Sequence, residues 1–355
     1  MKAIVTGAAG FIGSALCRAL VEDQVQVVAI DKFTPYYSPE QKWRNIAELR
    51  SNPLFTLVQA DLTEVDLLAL YSDANVVFHL AGQPGVRSSW SQGFDDYLLD
   101  NVCATQRVLE AARDHGGIRV VYASSSSVYG NAAEYPCRET DLPQPFSPYG
   151  VTKLAGEQLA VLYAKNYGVS TVSLRFFTVY GPRQRPEMAM ARMIDAALTG
   201  STFSLFAAPG AVRDFTYVED VVRAVMLAGF RPDLRPGLVA NVCGGEPADM
   251  HDVIDLVRTL KGDLAIEHAP IVAGDVLRTG GDNTVARDEL GWVPRVTLKE
   301  GLSHQVMWRR AELGLPEPEF AASRQRGSEA SSPHLAPAWW PEPAAVSVLP
   351  AAGLA

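Results

Sequence analysis

The segment SPYGVTKLAGEQLA, residues 147–160, holds two side chains that can exchange protons, four residues apart. Tyr149 and Lys153 in this spacing lie on one face of a helix, and Ser147 and Pro148 suit its N-cap and first position. A nearby ammonium favours the phenolate, so Lys153 is expected to lower the pKa of Tyr149 towards neutral pH. Tyr149 is therefore predicted to act as a base that removes a proton from an alcohol.

A run of four serines precedes this helix in YASSSSVYG, residues 122–130. The run ends an apolar, strand-like segment, and open α/β sheets place their sites at the carboxyl ends of strands. A serine there can hold a substrate oxygen. Because a tyrosine and a lysine in this spacing also occur by chance, the interpretation depends on the serine run and on a glycine motif near the N-terminus.

That motif is TGAAGFIG, in which Gly7, Gly10 and Gly13 follow a predicted strand and open a predicted helix. Such glycines permit a tight turn, a close approach of a pyrophosphate and close packing of helix on strand. The second strand ends in Asp31, which suits a ribose 2′-hydroxyl and repels a 2′-phosphate, so NAD is favoured over NADP. Asp61, in QADLTE, is predicted either to contact the adenine or to cap the next helix.

The elements that must position these residues alternate along the first half of the chain. Apolar strands alternating with helices predict a parallel sheet covered on both faces, a Rossmann-type doubly wound α/β fold. Strands are predicted over residues 2–6, 25–30, 55–59, 75–81 and 118–124, and helices over 11–23, 94–115 and onward from Ser147.

The second half is less regular and is predicted to form a smaller α/β substrate-binding domain. A sixth strand is predicted over 171–177, and helices over 188–200, 215–230 and 251–260. The expected division is an NAD-binding domain over 1–174 and a sugar-nucleotide-binding domain over 175–316, with partly interleaved elements. Residues 317–355 are rich in Ala, Pro and Ser and are predicted to be a disordered tail.

The bulk composition excludes several classes of function. The 355 residues carry a net charge of −9, which argues against nucleic acid as a partner. No apolar run has the length of a membrane helix, and the glycines near the start are unlike a signal peptide. Four widely spaced cysteines predict reduced thiols in a cytoplasmic protein, and no ligand spacing predicts a metal site.

Several motifs together resemble one family over roughly residues 1–310. They are TGAAGFIG, HLAGQPGVRSSW, YASSSSVYG, SPYGVTK, RFFTVYGPRQRPEMA and RDFTYVEDVV. The chain is identified by them as similar to the extended short-chain dehydrogenases/reductases, in the NAD-dependent sugar-nucleotide epimerase branch. It is most similar to UDP-glucuronate 4-epimerases, including the type found in moenomycin biosynthesis, which implies a role in making an antibiotic.

The resemblance implies a set of site residues. The catalytic serine is Ser125, with Ser126 as the second choice, beside Tyr149 and Lys153. Glu157 on the same helix is interpreted as structural. The NAD site is expected to comprise Gly7, Gly10, Phe11, Ile12, Gly13, Asp31, Lys32, Asp61, Leu62, Leu80, Ala81, Gly82, Asn101, Ser124, Tyr149 and Lys153.

The residues after Ser125 favour one reaction among those of the family. Related 4,6-dehydratases carry Asp-Glu where this chain has Ser126 and Ser127. At the second of these two positions, related decarboxylases carry a glutamate and related 3,5-epimerases carry a cysteine. The reaction that remains is 4-epimerisation, in which C4 is oxidised and the same hydride is then returned to it. The resemblance assigns Thr178 and Arg185 to the carboxylate of a uronate, since a guanidinium matches a carboxylate through two hydrogen bonds.

The same resemblance implies where the rest of a UDP-sugar binds. Arg213 and Arg278 are expected at the diphosphate, and Phe206 either at the uracil or in the core. The remaining substrate residues are expected to be Arg87, Ser88, Ser125, Ser126, Tyr149 and Met188. Two alternatives stay open: a UDP-glucose/galactose 4-epimerase, and a decarboxylase or dehydratase. The identity of the nucleotide base also stays open. A homodimer is expected through the helices near 93–114 and 149–166.

Overall fold

A computed structural model describes residues 1–206, 210–261, 263–270 and 274–316, with the side chains of Gln92 and Lys261 left out. The tail predicted over 317–355 lies outside the described residues. The strands, in chain order, are β1 Lys2–Thr6, β2 Gln26–Asp31, β3 Phe55–Gln59, β4 Val76–His79, β5 Arg119–Ser125, β6 Thr171–Phe176, β7 Thr178–Tyr180, β8 Phe203–Leu205, β9 Val212–Arg213, β10 Phe215–Tyr217, β11 Leu238–Val242, β12 Ala248–Asp249 and β13 Ile266–His268.

The helices connect these strands. In chain order they are α1 Phe11–Glu22, α2 Pro39–Asn45, α3 Leu67–Tyr71, α4 Phe94–Tyr97, α5 Ala104–His115, α6 Pro148–Tyr167, α7 Ala189–Thr199, α8 Val218–Phe230, α9 Met250–Lys261 and α10 Leu298–Glu312. A π-helical segment, Leu98–Cys103, joins α4 to α5, so the predicted helix over 94–115 is continuous but not α-helical throughout.

The central sheet has seven parallel strands in the order β11-β6-β5-β4-β1-β2-β3. Successive residues of β1 point to opposite faces. Ala3 and Val5 belong to a core cluster with α1 and α8, whereas Ile4 belongs to a second cluster with α5 and α6. The predicted doubly wound parallel sheet is therefore confirmed.

The structure corrects two predictions in the second half. The predicted helix over 215–230 is wrong at its start, because Phe215–Tyr217 forms β10, which pairs in parallel with β7, and the helix begins at Val218. Its apolar residues fit both elements, and only pairing with β7 decides between them. The prediction also lacked β11, the strand that completes the central sheet beside β6.

Short strand pairs shape the rest of the second half. β7 pairs with β10, β8 with β13 in parallel, and β9 with β12 antiparallel. Within the described residues, no helix is long and apolar enough to cross a membrane. The same residues contain no group of His, Cys, Asp or Glu side chains arranged to hold a metal. Cys17, Cys137 and Cys243 are buried free thiols and Cys103 is exposed.

Candidate active site

One pocket opens at the carboxyl ends of β1, β2, β4 and β5. The order of the strands reverses between β1 and β4: β2 and β3 lie on one side of β1, and β4, β5 and β6 lie on the other. Open α/β sheets bind ligands at such a reversal. Sixteen predicted residues line this pocket, namely Gly7, Gly10, Phe11, Ile12, Gly13, Asp31, Lys32, Asp61, Leu62, Leu80, Ala81, Gly82, Ser124, Ser125, Tyr149 and Lys153. Its other end is lined by the predicted sugar residues Ser126, Thr178, Arg185 and Met188.

The glycine turn brings backbone close to the pocket and leaves a helix end open to it. Gly7 has a φ of +67°, and a Cβ at Gly13 would lie 2.1 Å from the Gly7 carbonyl oxygen. Gly10 is the N-cap of α1 and has no side chain to accept the first-turn N–H groups. These donors and the positive end of the helix fit the pyrophosphate of NAD.

Asp31 is held at the edge of the pocket by backbone donors. Its Oδ2 accepts the Ala9 N–H at 3.0 Å and its Oδ1 accepts the Phe33 N–H at 2.7 Å. An ionised carboxylate offers about four acceptor sites, so capacity remains for ribose hydroxyls. The position and the chemistry fit the adenosine ribose of NAD.

A charged cluster closes the same end of the pocket. Lys32 Nζ lies 3.2 Å from Asp61 Oδ2 and 2.5 Å from Asp100 Oδ1. Asp61 Oδ1 also accepts the Thr63 N–H at 2.8 Å, whereas α3 is capped by Asp66. The alternative that Asp61 caps the next helix is therefore wrong, because Asp61 instead stabilises the turn before it.

Asn101 does not line the pocket but holds a loop that does. It is buried in the π-helical segment, its Oδ1 accepts the Gln83 N–H at 2.7 Å, and its Nδ2 donates to the Gln83 carbonyl at 3.1 Å and to Thr152 Oγ1 at 3.0 Å. The wider π turn lets Asp100 and Asn101, adjacent in sequence, both turn inward. Asn101 thus links the loop after β4 to the helix that carries Tyr149.

Tyr149 lies on the first turn of α6 and is hydrogen-bonded to Ser125 at the end of β5. The helix begins there because Ser147 Oγ accepts the Gly150 N–H at 3.1 Å and Pro148 occupies the first position. The expected lowering of the Tyr149 pKa is not found: burial raises this pKa, and the hydrogen bond from Ser125 and the charge of Arg185 lower it in part. Desolvation of a phenolate outweighs both.

Lys153 follows one helical turn later and is buried. Burial lowers its pKa to about 7, and the charge of Glu157 acts in the opposite direction. The Lys153 ammonium lies 4.5 Å from the centroid of the Tyr122 ring, a cation–π contact. Behind it, His79 bonds to Thr6 at 2.8 Å through Nδ1 and to Thr105 at 2.9 Å through Nε2.

Glu157 and Arg175 form a buried ion pair beneath these residues, and this pairing was not predicted. Arg175 on β6 donates to both carboxylate oxygens of Glu157, at 2.9 and 2.6 Å, and Ser124 Oγ donates to Glu157 at 2.6 Å. The sequence did offer a signal for Glu157, which lies eight residues after Tyr149 on the same helical face. Arg175 sits inside an apolar strand, where only the tertiary structure supplies its partner.

The sugar end of the pocket contains a preformed pair. Arg185 Nε donates to Glu187 Oε1 at 2.6 Å. This contact uses one of the five guanidinium donors and leaves the two terminal nitrogens for a ligand. Thr178 begins β7, which is fixed by its pairing with β10. Arg185 and Thr178 therefore meet in one pocket although they are separated by a turn.

Tyrosines from the loop after β2 also reach this end, and the sequence analysis did not name them. Tyr36 and Tyr37 line the pocket. The Tyr36 hydroxyl lies 3.2 Å from Ser88 Oγ, which lies 2.6 Å from the Tyr97 hydroxyl. The predicted residue Ser88 thus supports the wall of the pocket through two tyrosines. The two adjacent tyrosines in the loop after β2 were the available signal.

The remaining predicted substrate residues form a neighbouring arginine cluster and do not line the pocket itself. The Arg87 guanidinium lies 2.8 Å from the Asp275 carboxylate and 4.6 Å from the centroid of the Phe206 ring, and Arg213 donates to the Leu277 carbonyl at 3.1 Å. Arg278 is exposed and lies 5.0 Å from the centroid of the Tyr135 ring. Phe206 also has a second arginine near its ring, since the Arg192 guanidinium lies 5.2 Å from its centroid.

Comparison with known proteins gives relatives over most of the chain. A Bacillus subtilis protein named uncharacterized UDP-glucose epimerase YtcB is 41% identical over 87% of this chain and 98% of its own. A crystal structure of UDP-glucuronic acid 4-epimerase from Bacillus cereus, with UDP-glucuronic acid and NAD, is 39% identical, with a TM-score of 0.84 over 88% of this chain and 100% of the other.

A structure of MoeE5 in complex with UDP-glucuronic acid and NAD is 41% identical, with a TM-score of 0.80 over 88% of this chain and 100% of the other. The family described as the NAD dependent epimerase/dehydratase family matches residues 3–243. These residues span the glycine turn, the serine run and the Tyr149 helix. The chain therefore belongs to the NAD dependent epimerase/dehydratase family.

Proposed function

We propose that this protein is a UDP-glucuronate 4-epimerase, which interconverts UDP-glucuronate and UDP-galacturonate through a transient 4-keto sugar. One observation carries the proposal: the Tyr149–Ser125 pair lies in the same pocket as Arg185 and Thr178. A base for a sugar hydroxyl thus shares a pocket with donors for a carboxylate. The Bacillus cereus and MoeE5 structures, each with bound UDP-glucuronic acid and NAD, support the assignment.

The cofactor is held by the residues of the glycine turn and the charged cluster. Bound NAD supplies a hydride acceptor and donor for C4. The first-turn N–H groups of α1 would bind its pyrophosphate, Asp31 would bind the adenosine ribose, and Leu62 and Leu80 would cover the adenine end. Ser124, Tyr149 and Lys153 then face the reacting end of the pocket.

The chemical step belongs to Tyr149, Lys153 and Ser125. Tyr149 would take the proton of the C4 hydroxyl as C4 gives up its hydride, and would return that proton to the C4 oxygen when the hydride comes back to the opposite face of the sugar. Lys153 stabilises the phenolate by its charge, and Ser125 orients the reacting oxygen through its hydrogen bond with Tyr149. Ser126, which lines the same pocket, is the second candidate for this last role.

The carboxylate must be restrained because an oxidised glucuronate is a β-keto acid, which loses carbon dioxide readily. Arg185 and Thr178 would hold the carboxylate so that its bond to C5 stays out of line with the keto π-system. The contact between Arg185 Nε and Glu187 fixes the guanidinium and leaves its terminal nitrogens for two parallel bonds. The pocket thereby favours epimerisation over decarboxylation.

The nucleotide end is assigned to the arginine cluster beside the pocket. Arg213 and Arg278 would bind the diphosphate, Arg87 and Asp275 the nucleoside side of it, and Phe206 would stack on the base. The relatives that bind UDP-glucuronic acid favour uracil as the base. The division into domains between residues 174 and 175 stays a prediction.

A neutral-sugar epimerase is the second candidate function. Its support is the Bacillus subtilis relative, which is named a UDP-glucose epimerase, and a further MoeE5 structure with UDP-glucose and NAD. The pair Arg185 and Thr178 favours a uronate substrate over a neutral sugar. A lyase is disfavoured because Ser126 and Ser127 stand where an acid and base would be needed.

We also propose a homodimer formed through the helices that frame the pocket. A groove on α6 and the π-helical segment is lined by Val102, Ala155, Leu159 and Leu162. Leu99, Val151 and Leu162 are each more than half exposed, which is unusual for a monomer surface. Cytoplasmic location and a role in antibiotic biosynthesis stay predictions.

The deciding experiment incubates purified protein with UDP-glucuronate and without added NAD. Products are separated by anion exchange and identified by proton NMR. Formation of UDP-galacturonate alone is expected and would support the uronate reaction and a retained cofactor together. A pentose product would favour a decarboxylase, and turnover of UDP-glucose with none of UDP-glucuronate would favour the second candidate.

A further inference from the structure

The reaction scheme does not use the ion pair between Glu157 and Arg175, although this is the most deeply buried pair in the described part of the chain. Their side chains are 0% and 4% exposed. We propose that Glu157, locked in place by Arg175, is a positioning residue that keeps Lys153 in its ammonium form beside Tyr149. The inference deepens the proposed function and rests on it, since it concerns how the base of that reaction is prepared.

Glu157 is connected to both sides of the reacting centre. On α6, Tyr149, Lys153 and Glu157 follow one another at intervals of four residues and so share a face. On β5, Ser124 Oγ donates to Glu157 Oε2 at 2.6 Å, and the next residue is Ser125, the partner of Tyr149. One carboxylate therefore joins the catalytic helix to the strand end that carries the catalytic serine.

Arg175 is needed because a buried carboxylate without a partner would take up a proton. It donates through Nε and Nη2 to Glu157, and through Nη1 to the Tyr129 hydroxyl at 2.7 Å. Tyr129 in turn donates to Asn241 Oδ1 on β11 at 2.7 Å. The bidentate contact gives the Glu157 carboxylate an oppositely charged partner and, through Tyr129 and Asn241, ties it to the edge strand of the sheet.

The charge balance around Lys153 then depends on Glu157. On β5 Lys153 faces the Tyr122 ring, and on β4 it faces His79, whose pKa burial lowers to about 3, so that His79 is neutral. The π-helical segment and α5 contribute Asn101 and Thr105, which do not titrate in this range. On its own helix Lys153 faces Tyr149 and Glu157. The negative charge that offsets the cost of burying Lys153 is therefore that of Glu157.

A neutral Lys153 could not stabilise a phenolate, so activity must fall as Lys153 loses its proton. Removal of the Glu157 charge lowers the pKa of Lys153, and the Arg175 cation left behind lowers it further. The alkaline limb of kcat/KM should therefore move to lower pH in Glu157→Gln, by roughly one unit, the usual effect of one close charge. The amide keeps the volume and an acceptor for Ser124.

The test compares pH profiles of kcat/KM for wild type, Glu157→Gln and Glu157→Asp. We expect the limb to shift in the amide variant and to return towards wild type in the aspartate variant, which keeps the charge. Asp220→Asn is the matched control. Asp220 is also buried and paired with an arginine, Arg223, but outside the pocket, so its loss should lower stability without moving the limb.

Two further measurements keep the test decisive. If Glu157→Gln does not fold, the double variant Glu157→Gln/Arg175→Met removes both charges and should show the same direction of shift. The protonation of Lys153 is also read without turnover, from the ε-carbon NMR shift of 13C-labelled lysine, with Lys153→Met as the assignment control. That readout separates failure of this inference from failure of the proposed reaction.

A pH profile of Glu157→Gln that superimposes on wild type after scaling would overturn the proposal, as would an unchanged Lys153 titration. An equal shift in Asp220→Asn would overturn it too, because general destabilisation would then explain the effect. Only a shift confined to variants that lose the Glu157 charge supports a positioning role.

Discussion

At the scale of single residues, the site is built from side chains whose charge states depend on their neighbours. Burial raises the pKa of Tyr149 and lowers that of Lys153, so neither residue is reactive by its type alone. What the pocket supplies is a set of counter-charges: Glu157 for Lys153, Glu187 for Arg185 and Lys32 for Asp61.

Arg185 provides the sharpest test of substrate assignment. Arg185→Met should lower kcat/KM for UDP-glucuronate by about 10- to 100-fold, the value of a lost charge-assisted contact of about 1.5–3 kcal/mol. The effect on UDP-glucose should be much smaller, because this sugar has no carboxylate. Both rates are measured with the same enzyme preparation, so the neutral sugar is the control. Equal losses on the two substrates would contradict the assignment.

Tyr71 offers a stability test outside the pocket. Its hydroxyl is buried and has no hydrogen-bond partner in the described structure. Tyr71→Phe removes an unsatisfied group and should raise the free energy of unfolding by about 1 kcal/mol, measured by urea denaturation. Tyr129→Phe is the matched control, because the Tyr129 hydroxyl bonds to both Arg175 and Asn241 and its loss should destabilise. Destabilisation by Tyr71→Phe would contradict the interpretation that the Tyr71 hydroxyl is buried without a partner.

At the scale of elements, the start of α6 matters more than its length. The first turn carries Tyr149, the second Lys153 and the third Glu157, so a change in where the helix begins moves all three. The π-helical segment acts in a similar way, since it turns Asp100 and Asn101 inward together. Helix ends and irregular turns, rather than helix centres, therefore position this site.

Loss of the α6 cap should affect stability and catalysis together. Ser147→Ala removes the acceptor of the Gly150 N–H and should cost about 1 kcal/mol of stability. It should also lower kcat, because the turn that holds Tyr149 frays. Thr297→Ala on α10 removes a comparable cap, with a capping box to Glu300, far from the pocket. Calorimetry and kinetics on both variants check this: a kcat loss of equal size in Thr297→Ala would argue against local fraying.

At the scale of the whole molecule, the two halves of the chain share one sheet. β11 comes from the second half but pairs with β6, and α8 packs on α1. The cofactor end of the pocket is built by the first half, whereas the sugar end combines Tyr36, Tyr37 and Ser126 of the first half with residues that follow β6. Assembly of the pocket therefore requires both halves of the described chain.

The apolar groove on α6 predicts the assembly state. Leu162→Glu places a charge in this groove and should convert a dimer into a monomer, measured by light scattering after size exclusion. Leu68→Glu, on α3 outside the groove, is the control, since Leu68 is similarly exposed and its replacement should leave the mass unchanged. A monomeric wild-type protein would contradict the proposed homodimer outright.

The family, the cofactor class and the central sheet were predictable from sequence because they depend on local rules. Glycines at a strand-to-helix turn, short apolar runs that alternate with helices, and Tyr149 with Lys153 at one helical turn need no distant partner to be recognised. The first five strands and the starts of α1, α4 and α6 follow from these patterns within a residue or two. These predictions are confirmed.

Other features were decided only by tertiary structure, because they depend on contacts between residues far apart in the chain. The strand Phe215–Tyr217 exists through pairing with β7, and β11 through pairing with β6. The pKa of Tyr149 follows from burial against the pocket wall, which reverses the direction expected from Lys153 alone. The role of Arg175 is visible only in the structure, where β6 passes beneath α6 and Arg175 pairs with Glu157. A charge inside an apolar strand requires a partner, and sequence spacing cannot specify that partner.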